Sequence, residues 1–178
     1  MSESTAIPAV GLSGSPSATS KSRVLVEYAL AQLAALGAET RLIDLAMLPA
    51  DALLGRGTAP PVSAALDTIT RARVVVAGTP VYRATYSGLL KVFFDLLPQD
   101  GLVGKVGIPI VVGHGSAHSL AVDQGLRPLF ASLGATVVPS GVYGRSEQFA
   151  DGKPAAELRR VVDRAVREAL ALAAAAID

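Results

Sequence analysis

Hydrophobic and polar positions alternate in blocks along the chain, and each block has the period of a strand or a helix. Pro8 to Ser13 is a short apolar run of strand length. Ser22 to Leu36 follows with a helical period, placing Leu25, Tyr28, Ala29, Leu33 and Leu36 on one face. Gly37 then stands where a helix stops, because glycine accepts the left-handed conformation of that position. Glu39 to Leu45 reads as a more polar strand, hence one at a sheet edge. Pro49 to Pro61 has loop chemistry, and Val62 to Arg71 makes a short helix. Arg73 to Gly78 is the most apolar strand and belongs at the centre of a sheet. Leu89 to Leu97 predicts a helix, Lys105 to Val112 a strand, Ser119 to Leu133 a helix, and Thr136 to Tyr143 a last strand. The final helix runs from Pro154 on, with Leu158, Val161, Val162, Ala165, Ala169 and Leu172 inward and Arg159, Arg160, Asp163, Arg164 and Arg167 on its wet side.

Five strands alternating with five helices predict an α/β fold: a doubly wound, five-stranded parallel sheet with helices on both faces. A flavodoxin-like strand order, 2-1-3-4-5, brings together the loops after strands 1 and 3, at the carboxyl edge where such sheets bind ligands. Residues 1–178 read as one domain, without internal repeat or linker.

Composition narrows the function classes. The net charge of +1 gives no electrostatic reason to expect nucleic acid or acidic lipid. No run approaches the roughly 18 apolar residues of a membrane span. The surplus of apolar residues, 51% of the chain, instead predicts a buried sheet and a subunit interface. The absence of cysteine removes disulfides, thiolate nucleophiles and cysteine-bound metals. The first residues have no basic stretch leading into an apolar one, which predicts a cytoplasmic protein.

The candidate chemistry lies in three loops after strands. Ser13 to Ser22 has neither the glycine spacing of a nucleoside-triphosphate loop nor that of a dinucleotide loop. It does have the hydroxyls of Ser15, Ser17, Thr19, Ser20 and Ser22 at the start of a helix, with Lys21 among them. A terminal phosphate monoester, a dianion with three acceptor oxygens, suits such donors at a positive helix end. The second loop, Thr79 to Lys91, offers Pro80 and Val81 as a rigid apolar edge, with Tyr82 and Arg83 able to pack on or bond to a flat ring. The third, Gly113-His114-Gly115-Ser116-Ala117-His118, has small residues whose amides can meet the polar edge of that ring. The first two loops together point to flavin mononucleotide (FMN). His114 and His118 lack a third metal ligand, and no G-x-S-x-G hydrolase elbow is present, so neither metal nor hydrolytic chemistry is expected. The nearly all-apolar helix from Ser87 to Leu97, with adjacent Phe93 and Phe94 on different faces, predicts a subunit interface.

These loops resemble the NADPH-dependent FMN reductase family, in particular the reductases of two-component alkanesulfonate monooxygenase systems. Gly14-Ser15-Pro16 with Ser20-Lys21-Ser22, Thr79-Pro80-Val81-Tyr82 with Tyr86-Ser87-Gly88, and Ala117-His118 with Leu120 to Asp123 carry the resemblance, which covers Val10 to Tyr143. It implies FMN, NADPH or NADH as hydride donor, a homodimer or tetramer, and a monooxygenase that receives reduced flavin. It places the phosphate at Ser15, Ser20, Lys21 and Ser22, and the ring against Pro80, Val81, Tyr82 and Arg83, with Ser87, Gly113, His114, Gly115, Ser116 and His118 around it. The chain departs from the family at Ser17, where many relatives carry arginine, and at Gln124, where the alkanesulfonate-type reductases carry tyrosine in a helix insertion tied to flavin exchange. Hydride transfer to flavin needs no side-chain acid or base, so no catalytic residue is expected. A bound-FMN reductase of quinones, azo dyes or metal oxyanions is the second reading, and a flavodoxin-type electron carrier the third.

Overall fold

The computed structural model describes residues 6–175. Strands β1 (Pro8–Ser13), β2 (Glu39–Asp44), β3 (Val74–Pro80), β4 (Val106–Gly113), β5 (Thr136–Val137) and β6 (Val142–Arg145) form one parallel sheet. The order is β2-β1-β3-β4-β5, with β6 also beside β4. β3 is central and the polar β2 lies at the edge, as expected. Every residue of β4 is buried, as suits a strand covered on both faces.

Alternating strand residues feed two cores. Val10, Leu12, Val75, Ala77 and Val111 face α2 (Ala50–Leu53), α3 (Pro60–Arg71), α4 (Gly88–Phe94) and α5 (Arg127–Ser132). Ala9, Val74, Val76, Ile108 and Ile110 face α1 (Lys21–Ala35) and α6 (Ala156–Ala175). Helices therefore cover both faces. Among the described residues no helix is long and apolar enough to cross a membrane.

Several expectations are corrected. The stretch from Thr136 to Tyr143 is two strands, with Val138 to Gly141 bulging between them. The cause sits in the neighbouring strand: Gly107 and Pro109 turn the same backbone edge toward the fifth strand, and Pro109 has no N–H to donate. Pairing stops at Gly107↔Val137 and resumes at Ile110↔Val142, two extra residues later on the outer strand. Side chains satisfy the bulge: Arg127 donates to the carbonyls of Val138 and Pro139, and Glu168 accepts from the amide and hydroxyl of Ser140 at 2.8 and 2.7 Å.

The helix expected over Ser119 to Leu133 is likewise three pieces: a 3₁₀ turn at Ser116–Ser119, a π turn at Val122–Leu126, and α5. Pro128 again lacks a donor, and the Arg127 amide reaches back five residues to Val122. Third, the loop from Pro49 to Pro61 contains α2, and α3 starts at Pro60, in the first-turn position that proline tolerates. On the first helix Leu36 is exposed rather than inward.

A further correction concerns Phe93 and Phe94. Both are buried within this chain, at 0% and 2% exposure, so neither is left for a partner subunit. α4 ends at Phe94, and the Phe94 ring meets Phe130 of α5 edge-on, centroids 5.5 Å apart at 84°. A short helix with packed elements beside it buries two faces.

Candidate functional site

The carboxyl ends of β1, β3 and β4 meet where the strand order reverses. The Gly14 amide donates to the Gly78 carbonyl at 2.8 Å, tying the loop after β1 to the end of β3. Gly78 lets α1 come down onto the sheet: a Cβ there would lie 2.3 Å from Val26 Cγ2 and 3.0 Å from the Ser22 carbonyl oxygen. Ser20 caps α1, accepting from the Arg23 amide at 3.3 Å, and its Oγ lies 2.8 Å from that of Ser22. Ser15 accepts from the Ser17 amide at 3.2 Å, and Ser17 from the Thr19 amide at 3.3 Å. Ser15, Ser20 and Ser22 are buried.

These hydroxyls open on a recess of about 230 Å³, lined by Ser15, Ser17, Thr19, Ser20, Lys21 and Ser22 on one side. Pro80, Val81, Tyr82, Val112, His114 and Ser146 line the other. A larger hollow of about 430 Å³ lies at the amino ends of β1 and β2, beside Pro8, Glu39, Arg41 and Arg71. Volume does not select that one, since ligands of open α/β sheets bind at the carboxyl edge, where the serine donors converge.

The loop after β3 makes a tight reversal. Tyr82 and Thr85 exchange backbone hydrogen bonds at 2.9 and 3.2 Å, while Arg83 (φ 49°) and Ala84 (φ 69°) are both left-handed. Non-glycine residues are strained there. Replacing Ala84 by glycine is expected to add about 0.5 kcal/mol, the left-handed penalty of roughly 1–2 being offset by glycine's entropy cost of roughly 0.5–1. Denaturant unfolding measures it.

Of the fourteen site residues expected from the sequence, the recess brings together Ser15, Ser20, Lys21, Ser22, Pro80, Val81, Tyr82 and His114. Arg83 is carried to an exposed position outside its walls. Ser87 is a structural clamp: it caps α4 by accepting from the Leu90 amide at 3.1 Å, and its hydroxyl donates to the Gly14 carbonyl. Gly113, Gly115, Ser116 and His118 lie beside the recess rather than on it. Tyr143 donates its hydroxyl to the Gly115 carbonyl, and burial pushes its phenol pKa up, so the donor persists. Nδ1 of His118 is buried against Gly113 with no hydrogen-bond partner.

Ser146 was not foreseen. It follows β6, whose end adjoins β4, so its loop opens on the same edge; a last strand drawn only to Tyr143 hid it. The Lys21 ammonium donates to the Ser146 carbonyl at 2.9 Å.

A doubly wound sheet in this order, with a polar recess at its switch point, defines a flavodoxin-like α/β protein. Its sequence matches the model of the NADPH-dependent FMN reductase family over residues 7–150. The chain belongs to that family and is an NAD(P)H-dependent FMN reductase, an oxidoreductase that uses FMN with NADPH or NADH. It is 38% identical to the FMN reductase (NADPH) of Escherichia coli (strain K12) over 143 residues, 80% of this chain and 75% of that one. It is 36% identical to the NADH-dependent FMN reductase SfnE of Pseudomonas putida over 172 residues, 92% of each chain. The apo crystal structure of an NADH:FMN oxidoreductase, EMOB, superposes with a TM-score of 0.86 at 36% identity, covering 93% of this chain and 89% of that one.

Proposed function

We propose that the enzyme, working as one cytoplasmic domain, reduces FMN and releases it to a separate flavin-dependent monooxygenase. The observation that carries this reading is the shallowness of the recess. At about 230 Å³ it lies below the roughly 300–1,000 Å³ of pockets that enclose a whole ligand, and Tyr82 at its mouth is 46% exposed. A site of that size leaves part of a bound flavin outside its walls, which favours exchange. The resemblance over Ala117 to Asp123, which leads into the π turn at Val122–Leu126, favours release, while Gln124 in place of the relatives' tyrosine argues for retention; the longer match is given the greater weight.

The donors fit FMN. Hydroxyls and an ammonium, with no carboxylate among them, suit the phosphate; Pro80 and Val81 offer an apolar edge to the ring. When bound, FMN supplies the hydride-accepting ring. In this reading Ser15, Ser20, Ser22 and Lys21 hold the phosphate, the Pro80–Tyr82 edge orients the ring, and the amides from Gly113 to Ser116 face its polar edge. The backbone amides around Ser116 would stabilise charge as it develops. No residue is assigned as acid or base.

Purified protein is expected to be colourless or weakly yellow and to reduce many equivalents of added FMN with NADPH or NADH. Stoichiometric FMN that stays bound while only quinones or dyes are reduced overturns release in favour of a bound-flavin reductase.

Assembly as a dimer or tetramer belongs to the same reading, through an apolar depression of about 270 Å³ between α2 and α4. Ala50, Leu53, Leu54, Leu89 and Val92 line it, and Leu54 is 56% exposed. Light scattering is expected to give a multiple of 18.1 kDa, and aspartate at both Leu89 and Val92 to give the monomer. A wild-type monomer at micromolar concentration removes the interface.

A further inference from the structure

We propose that Phe149 positions Lys21 for the FMN phosphate and thereby adds to the preference for FMN over riboflavin; the inference rests on the phosphate assignment above. Lys21 opens α1 on an exposed turn, where a four-carbon side chain sweeps a wide volume. Two fixed points narrow that sweep. The ammonium donates to the Ser146 carbonyl at 2.9 Å and lies 5.7 Å from the Phe149 ring centroid, within cation–π range.

Both points belong to the segment after β6, which is rigidly mounted. Phe149 begins a short antiparallel hairpin, Phe149–Ala150 with Lys153–Pro154, closed by left-handed Asp151 and Gly152. The Ala155 amide locks its base to the Gln148 carbonyl at 2.8 Å. The Phe149 ring itself packs against the core beneath α1 and α6, so the ring that meets the ammonium is held from behind.

An ammonium has three N–H donors. Ser146 takes one, and the remaining two stay available beside the serine hydroxyls of the recess that Lys21 and Ser146 share. Among the residues lining that recess Lys21 is the only ammonium or guanidinium. Arg145, next along the chain, is engaged by Glu147 at 2.8 Å. Phe149 is not on the recess wall, so its effect reaches the ligand only through the lysine: it is a positioning residue.

The test is a titration of FMN and of riboflavin against wild type, Phe149→Leu, Phe149→Tyr, Lys21→Met and the Lys21→Met, Phe149→Leu pair. Leucine keeps the apolar packing and removes the π face; tyrosine keeps both. Phe149→Leu is expected to weaken FMN about threefold, the size of an exposed cation–π contact, with riboflavin unchanged and Phe149→Tyr like wild type. In the Lys21→Met background, Phe149→Leu is expected to have no further effect on FMN. Equal weakening of both flavins by Phe149→Leu, or no weakening of either, overturns the inference while leaving the phosphate site standing. Wild type that binds riboflavin as tightly as FMN overturns the phosphate assignment, and this inference with it.

Discussion

Alanine at both Ser20 and Ser22 is expected to lower FMN affinity about 100-fold and to leave riboflavin binding nearly unchanged. A hydrogen bond to a charged group contributes about 1.5–3 kcal/mol, so two lost donors carry roughly 3–6, and 100-fold corresponds to about 2.7. The lower end applies because the two hydroxyls, 2.8 Å apart, already bond to each other and the loop's remaining donors stay in place. Ser20 also caps α1, and losing that cap costs about 1 kcal/mol of fold stability. Riboflavin separates the two effects: a damaged helix start weakens both flavins, whereas a lost phosphate contact weakens only FMN. Fluorescence titration at fixed salt reads the difference, and equal losses for the two flavins remove the phosphate assignment.

Phe94→Ala carries the largest expected loss of stability. Truncating a buried phenylalanine costs about 3–5 kcal/mol, and for a chain of this size roughly 2–4 °C per kcal/mol translates that into about 6–20 °C of melting temperature. Phe94 contacts Phe130 and the core beneath α4, all within one chain. The difference between variant and wild type is therefore expected to be the same at every protein concentration. A difference that shrinks as the protein is diluted returns Phe94 to a subunit interface.

The Phe93–Phe94 pair also marks where sequence reading stopped. Helical periodicity correctly put adjacent aromatics on different faces, but it had no means of knowing that α5 would cover the second one. The strands were legible because burial on both faces makes them continuous apolar runs: Val74–Val75–Val76 announced the centre of the sheet and Glu39–Asp44 its edge. Breaks set by a neighbouring strand were not. Pro109 is visible in the sequence, yet its consequence appears some thirty residues later, in the bulge before β6.

Within the site, side chains governed by their own loop were easiest to place. Ser15, Ser20 and Ser22 sit in a helix-start pattern, and the recess collects all three. Ser87 carried the same helix-start signal but spends its hydroxyl on Gly14, a contact across the sheet. Arg83 was placed by residue type alone, and its left-handed backbone takes it outside the recess. Ser146 lacked any local motif, because its place depends on β6 lying beside β4.

The most direct measurement of the central claim is anaerobic reduction of a large excess of free FMN by catalytic enzyme with NADPH, followed by loss of oxidised-flavin absorbance. Complete bleaching of the excess, over many turnovers per enzyme, is the predicted result. Bleaching that stops at one flavin per chain, or that never begins with either NADPH or NADH, contradicts it.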